Sequence, residues 1–129
     1  MKALSVRQPW ASLIAGGYKT IEWRPWQTRY RGPILICSGK APDDIYFEFD
    51  LIEAERKWPL GVAVAVVELA DIRPFDPARD IRPAMLEKDF APERPGFSWV
   101  LKDPFEVLGK IPIRGQQGLF EVEFTPPAP

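Results

Sequence analysis

Apolar and polar residues alternate over Leu4-Ser5-Val6, the period of a strand with one buried face. Gln8-Pro9-Trp10 then opens a helix with proline near its first turn; Ala11, Leu13, Ile14 and Ala15 continue it and Gly16-Gly17 stops it. Lys19 to Arg24 reads as a second strand, and the apolar run Pro33-Ile34-Leu35-Ile36-Cys37 as a buried third. Asp43 or Asp44 is positioned to cap a helix running to about Trp58, with Ile45, Phe49, Ile52 and the stem of Arg56 on its inner side, before Pro59-Leu60-Gly61 ends it. Gly61 to Ile72, rich in valine, is the strongest strand signal in the chain. A proline-broken stretch from Pro74 to Pro95 leaves room for one or two helical turns around Met85 to Phe90. Phe97 to Leu101 and Leu119 to Phe124 alternate again, the latter with Phe120, Val122 and Phe124 on one face.

Five to seven short strands with two helices in the first half predict a mixed α+β fold, a small, partly open β-barrel with helices at its ends. The 129 residues suit one domain, expected over residues 1–124, followed by a disordered proline-rich tail from Thr125 to Pro129. The fifteen prolines sit mostly between apolar segments, where they punctuate strands and turns. No internal repeat is visible.

Composition narrows the chemistry. The chain has no histidine and a single cysteine, Cys37. That excludes a His/Cys zinc site, a Ser-His-Asp triad, a Cys-His pair and an intrachain disulfide, so no metal or cofactor is expected. Cys37 closes an apolar run and is expected to be buried and inert. The acidic residues between Asp43 and Glu55 read as a solvated helix face rather than a magnesium site. The start lacks a long apolar stretch and the longest apolar run is Val62 to Val67, which points to a cytoplasmic protein with no membrane partner.

The net charge of −1 conceals an asymmetry. Residues 1–40 hold seven basic side chains against one acidic, a net of +6, whereas the rest hold ten against seventeen, a net of −7. A basic first third suggests a face for an anion, although a folded surface can mix such charges again.

The densest chemistry lies in Gly17-Tyr18-Lys19-Thr20-Ile21-Glu22-Trp23-Arg24, with Trp26, Arg29, Tyr30 and Arg31 close behind. Rings that stack on unpaired bases and cations that neutralise phosphates are what a single-stranded nucleic-acid site needs. The same composition also describes a strand with core tryptophans and a solvated charged face. Trp26 and Tyr30, on a cationic segment, are the candidate stacking rings; Trp23, in phase with Ile21, reads as core, and Trp10 as core or cleft wall. Ser5 reads either as a hydrogen-bonding group for a ligand in the cleft or as an ordinary strand serine, the second reading being favoured. Arg7 precedes the first helix and reads either as a phosphate contact or as a surface arginine.

Gly17-x-Lys19-x-x-Glu22-x-Arg24 resembles the signature of the ASCH domain, a member of the PUA-like β-barrel superfamily. The opening Leu4 to Ala11, the segment Arg29 to Ile36, Trp99 and the closing Ile113 to Phe120 are similar to the same family, so the resemblance spans about residues 3 to 124. It implies a cleft lined by the signature residues, with RNA or a nucleoside as ligand. One branch of the family is an amidohydrolase that deacetylates acetylcytidine with a lysine and a threonine three positions later. Lys19 matches that lysine, but Glu22 stands where the threonine would be.

Three functions follow as expectations. The first is RNA or single-stranded nucleic-acid binding through Arg7, Lys19, Glu22, Arg24, Trp26, Arg29, Tyr30 and Arg31. The second is an enzyme, an amidohydrolase on a modified nucleoside or a ribonuclease, with Lys19 and Glu22 as the reactive pair. The third is a protein-interaction module using the acidic helix and the proline-rich loop. Between the first two, an ion pair of Glu22 with Lys19 and Arg24 favours binding.

Overall fold

The computed structural model describes residues 1–126. Of the proline-rich tail expected from Thr125 to Pro129, residues 127–129 lie outside the described residues.

The apolar runs nearest the N-terminus build the middle of one sheet. β1 (Lys2–Val6) lies parallel to β3 (Gly32–Ser38), with Leu4 opposite Ile36. β3 is buried on both sides, as its unbroken apolar run requires. Ile34 and Ile36 face the main core with Leu4, Val6, Leu69, Trp99 and Leu101. Leu35 and Cys37 face a second cluster with Ala3, Ala63, Val107 and Phe120. Burial pushes the Cys37 thiol pKa up to about 12, so it stays protonated and unreactive.

The valine-rich segment forms β4 (Ala63–Pro74), which pairs antiparallel with β3 on one side and with β5 (Phe97–Glu106) on the other. Register shifts between Val66 and Glu68 and between Leu69 and Asp71 bend this long pair, as bulges do. β2 (Ile21–Arg24) and β6 (Leu119–Glu121) form the two edges, giving the order β2-β5-β4-β3-β1-β6. The six strands curl into a half-barrel with short helices at its ends, the small, partly open α+β barrel predicted from the pattern.

α1 (Trp10–Ala15) packs Ala11 and Ile14 into the main core. Gln8, fully buried, accepts the Ser12 amide at 3.0 Å through Oε1, supporting the first turn of α1. Gly17, with φ +79, supplies the left-handed turn after the helix, which a side chain would strain.

Two expected elements differ. The single helix from Asp43 to Trp58 is a 3-10 helix (Asp44–Glu48) followed by α2 (Leu51–Lys57), each with its own aspartate cap, Asp43 and Asp50. Phe49 is extended between them and resets the helical phase. Tyr46 and Ala54 therefore turn inward, while Phe49 and Ile52 are exposed. In the proline-broken stretch the helix is α3 (Pro77–Asp80), upstream of the turn expected around Met85 to Phe90, because Asp76 caps it with proline at its first position. No helix among the described residues is long and apolar enough to cross a membrane.

Candidate nucleic-acid interface

Strand alternation puts Glu22 and Arg24 on the same face of β2. Arg24 Nη2 donates to Glu22 Oε2 at 3.0 Å and to the Ser5 carbonyl at 2.7 Å. The other oxygen, Glu22 Oε1, lies 3.4 Å from Lys19 Nζ. Lys19 is only 4% exposed; its ammonium also donates to the Ala84 carbonyl and sits 5.9 Å from the Trp10 ring centroid. One carboxylate thus holds two cations that would otherwise repel each other. Burial lowers the Lys19 pKa, the charge and hydrogen bond of Glu22 oppose that shift, and Arg24 adds to it.

The wall opposite is carried by the loop after α3. Fully buried Asp80 anchors that loop by accepting from Arg73, Arg79 and Ser98 side chains at 2.8–3.1 Å and from the Asp76 amide at 3.0 Å. These donors hold the Asp80 carboxyl well below the usual carboxylate range. The following turn presents two carbonyls to the β2 side: Pro83 accepts the amides of Thr20 and Ile21, and Ala84 accepts Lys19. Met85 adopts φ +56, an uncommon backbone state for a residue with a side chain, and it lines the cleft.

Between these walls lies an open cleft of about 1280 Å³. Trp10, Trp23 and Phe90 supply its rings, and Arg7, Lys19, Arg24, Lys40 and Arg114 its cations. The Trp23 ring lies so close to Gly96 that a Cβ there would fall 2.2–2.4 Å from three ring atoms. It meets Phe90 edge-on at 5.7 Å. Trp10 is fixed by donating Nε1 to Asp43 Oδ2 at 3.2 Å. Ser5 and Gly115 meet on a third side, where a Cβ on Gly115 would sit 2.8 Å from Ser5 Oγ, a buried hydroxyl without a hydrogen-bond partner among the described residues.

The structure therefore gathers Arg7, Lys19, Glu22 and Arg24 on one cleft. Trp26, Arg29, Tyr30 and Arg31 do not line it. Trp26 packs edge-on against buried Trp99 at 4.8 Å, and its carbonyl accepts the Trp99 indole. Tyr30 donates its hydroxyl to the Pro33 carbonyl at 2.7 Å, Arg31 donates to the carbonyls of Thr28 and Tyr30, and Arg29 is exposed. Thr20 is exposed, away from the cleft, as alternation indicates.

Trp23, read from the pattern as a core ring, lines the cleft, and so does Ser5, the less favoured of its two readings. Lys40, Phe90 and Arg114 also line it and carry no local signal, because they arrive from segments remote in sequence. Among the described residues, no group of three or more His, Cys, Asp or Glu side chains is placed to hold a metal ion.

Comparison with known proteins bears on the family and the fold. Activating signal cointegrator 1 from Homo sapiens is 28% identical over 93% of this chain, and its Mus musculus counterpart is equally similar. The chain spans 22% of the length of those relatives. The crystal structure of ASCH from Zymomonas mobilis shares 18% identity and superposes with a TM-score of 0.65 over 95% of this chain and 87% of that one. A point mutant of the same protein gives 0.67 at 18% identity, over 95% and 89%. The ASCH domain family model matches residues 4–110, a span that runs from β1 past the end of β5 and includes the whole Lys19-Glu22-Arg24 cluster, so the chain belongs to the ASCH domain family.

Proposed function

We propose that the chain binds single-stranded nucleic acid, RNA foremost, by taking a nucleotide into the cleft between β2 and the loop following α3. The observation that carries this reading is the convergence of Trp10, Trp23 and Phe90 with Arg7 and Arg24 on one open cavity large enough for a nucleotide. Arg24 uses only Nη2 on Glu22 and Ser5, which leaves Nε and Nη1 for a ligand oxygen. Arg7 is exposed at the rim and positioned to meet a phosphate. Membership in a family within the PUA-like superfamily supports the same reading. Arg29 and Arg31, outside the cavity, are assigned the neighbouring backbone phosphates, and Trp26 and Tyr30 hold the segment that carries them.

A second reading, hydrolysis of a modified nucleoside or of RNA, is favoured by the lowered pKa of Lys19, which brings a buried amine closer to the neutral form that reacts. Against it, both oxygens of Glu22 are engaged by cations, which leaves a poor general base.

The test is fluorescence anisotropy of a labelled single-stranded RNA of about 12 nucleotides. Affinity should fall steeply with salt, and Arg7→Glu should weaken it by about tenfold or more. Equal affinity of wild type and Arg7→Glu at every salt concentration would overturn the reading. Release of product from acetylated nucleosides or labelled RNA, lost in Lys19→Ala, would favour the second.

A further inference from the structure

The segment from Asp44 to Trp58 turns apolar side chains to solvent. Phe47, Phe49, Leu51 and Ile52 are 63%, 49%, 52% and 79% exposed, the reverse of an amphipathic helix packed on a core. At about 200 Å² per side chain these fractions expose on the order of 500 Å², the size of the largest apolar patch on many monomers, which is often functional. Phe47 and Phe49 touch the segment only edge-on, against Tyr46 at 5.8 Å and Trp58 at 4.8 Å, and its main anchors lie elsewhere. Tyr46 and Ala54 are buried, the Tyr46 hydroxyl donates to the Trp58 carbonyl at 3.4 Å, and Asp43 and Asp50 cap the two helical turns. None of the four exposed residues lines the cleft.

Around this patch Asp44, Glu48, Asp50, Glu53 and Glu55 outnumber Arg56 and Lys57, a net of −3 within fifteen residues. That charge selects the occupant. Nucleic acid and an anionic lipid surface are both repelled. A second copy docking face to face would set one acidic rim against another. We propose that the face is a docking surface for a cationic amphipathic segment of another protein, whose apolar side covers Phe47, Phe49, Leu51 and Ile52 while its lysines or arginines meet the acidic rim.

The probe is a labelled peptide of leucine and lysine arranged in helical period, compared with a scrambled peptide of the same composition, each titrated against the whole chain. The periodic peptide should bind about tenfold tighter or better. Phe47→Ser with Ile52→Ser, both at exposed positions, should abolish that difference, and Glu48→Lys with Glu55→Lys should reduce it. Should the serine variant fail to fold by circular dichroism, the charge-reversed pair decides the matter. Equal binding of the two peptides, or no response to charge reversal, overturns the proposal. So does dimerisation in sedimentation, or capture by phosphatidylserine vesicles, that the serine variant loses.

Discussion

Arg24 Nη2 reaches the Ser5 carbonyl at 2.7 Å, joining edge strand β2 to β1 although the two are not neighbours in the sheet. A side chain, rather than a ladder of backbone hydrogen bonds, draws the mouth of the half-barrel together, and the same nitrogen fixes Glu22. Arg24→Met keeps the apolar stem and removes both bonds. The expected cost is about 2–3 kcal/mol, read as a lowered urea midpoint with an unchanged slope. A loss below about 0.5 kcal/mol would place this contact among surface ion pairs of little consequence.

Lys19 makes a prediction at alkaline pH. Its folded-state pKa is lowered chiefly by burial, so between that value and the ordinary 10.5 the unfolded chain binds the proton more strongly. Stability therefore rises as pH increases through this window and falls again as pH is lowered through the folded pKa. Urea unfolding from neutrality toward pH 10.5 should show a steeper rise for the wild type than for Lys19→Met. Parallel profiles would show that Lys19 keeps its proton equally well in both states.

Asp80 acts in the opposite range. Its pKa is lowered by hydrogen bonds from Arg79, the Asp76 amide, Ser98 and Arg73, so its stabilising contribution is complete above the ordinary carboxylate value of 3.8 and is lost as pH falls below it. Asp80→Asn should unfold with a flatter acid profile and a lower stability near neutrality, by about 2–4 kcal/mol. Because Asp80 seats the loop that brings Ala84 to Lys19, nucleic-acid affinity should fall with it even under conditions where the variant stays folded.

Gly96 is required by close approach rather than by its backbone angle. A methyl group there would overlap the Trp23 ring, which must move into the cleft or out toward solvent. Gly96→Ala should cost about 1–3 kcal/mol and change the tryptophan emission. Addition of Trp23→Leu should recover part of that loss, since it removes the ring atoms nearest the new methyl.

How far the sequence discloses this molecule follows from where each signal resides. The alternation in Leu4-Ser5-Val6, the Gly16-Gly17 stop and the unbroken run Ile34 to Cys37 are local, and β1, α1 and β3 form where they indicate. The break at Phe49 is less legible, because Asp50 competes with helix continuation by capping a new start, and one changed residue geometry rotates every later side chain. Lys19, Glu22 and Arg24 lie within six residues, and their pairing follows from spacing and charge. Trp23 was hidden for a different reason. On the strand face that holds Ile21 it looks like core, and only the loop bearing Phe90, remote in sequence, makes it a wall of the cleft. Trp26 and Tyr30 show the converse, since a cationic neighbourhood says nothing of the buried Trp99 and the Pro33 carbonyl that claim them.

The most direct measurement is an amide chemical-shift titration of isotopically labelled chain with a short single-stranded RNA. Binding in the cleft predicts the largest perturbations at residues 5–7, 19–24 and 84–90, with smaller ones at Arg29 and Arg31 and none across residues 47–52. Perturbations confined to residues 26–31 or 47–52, with the cleft residues unmoved at saturation, would contradict it.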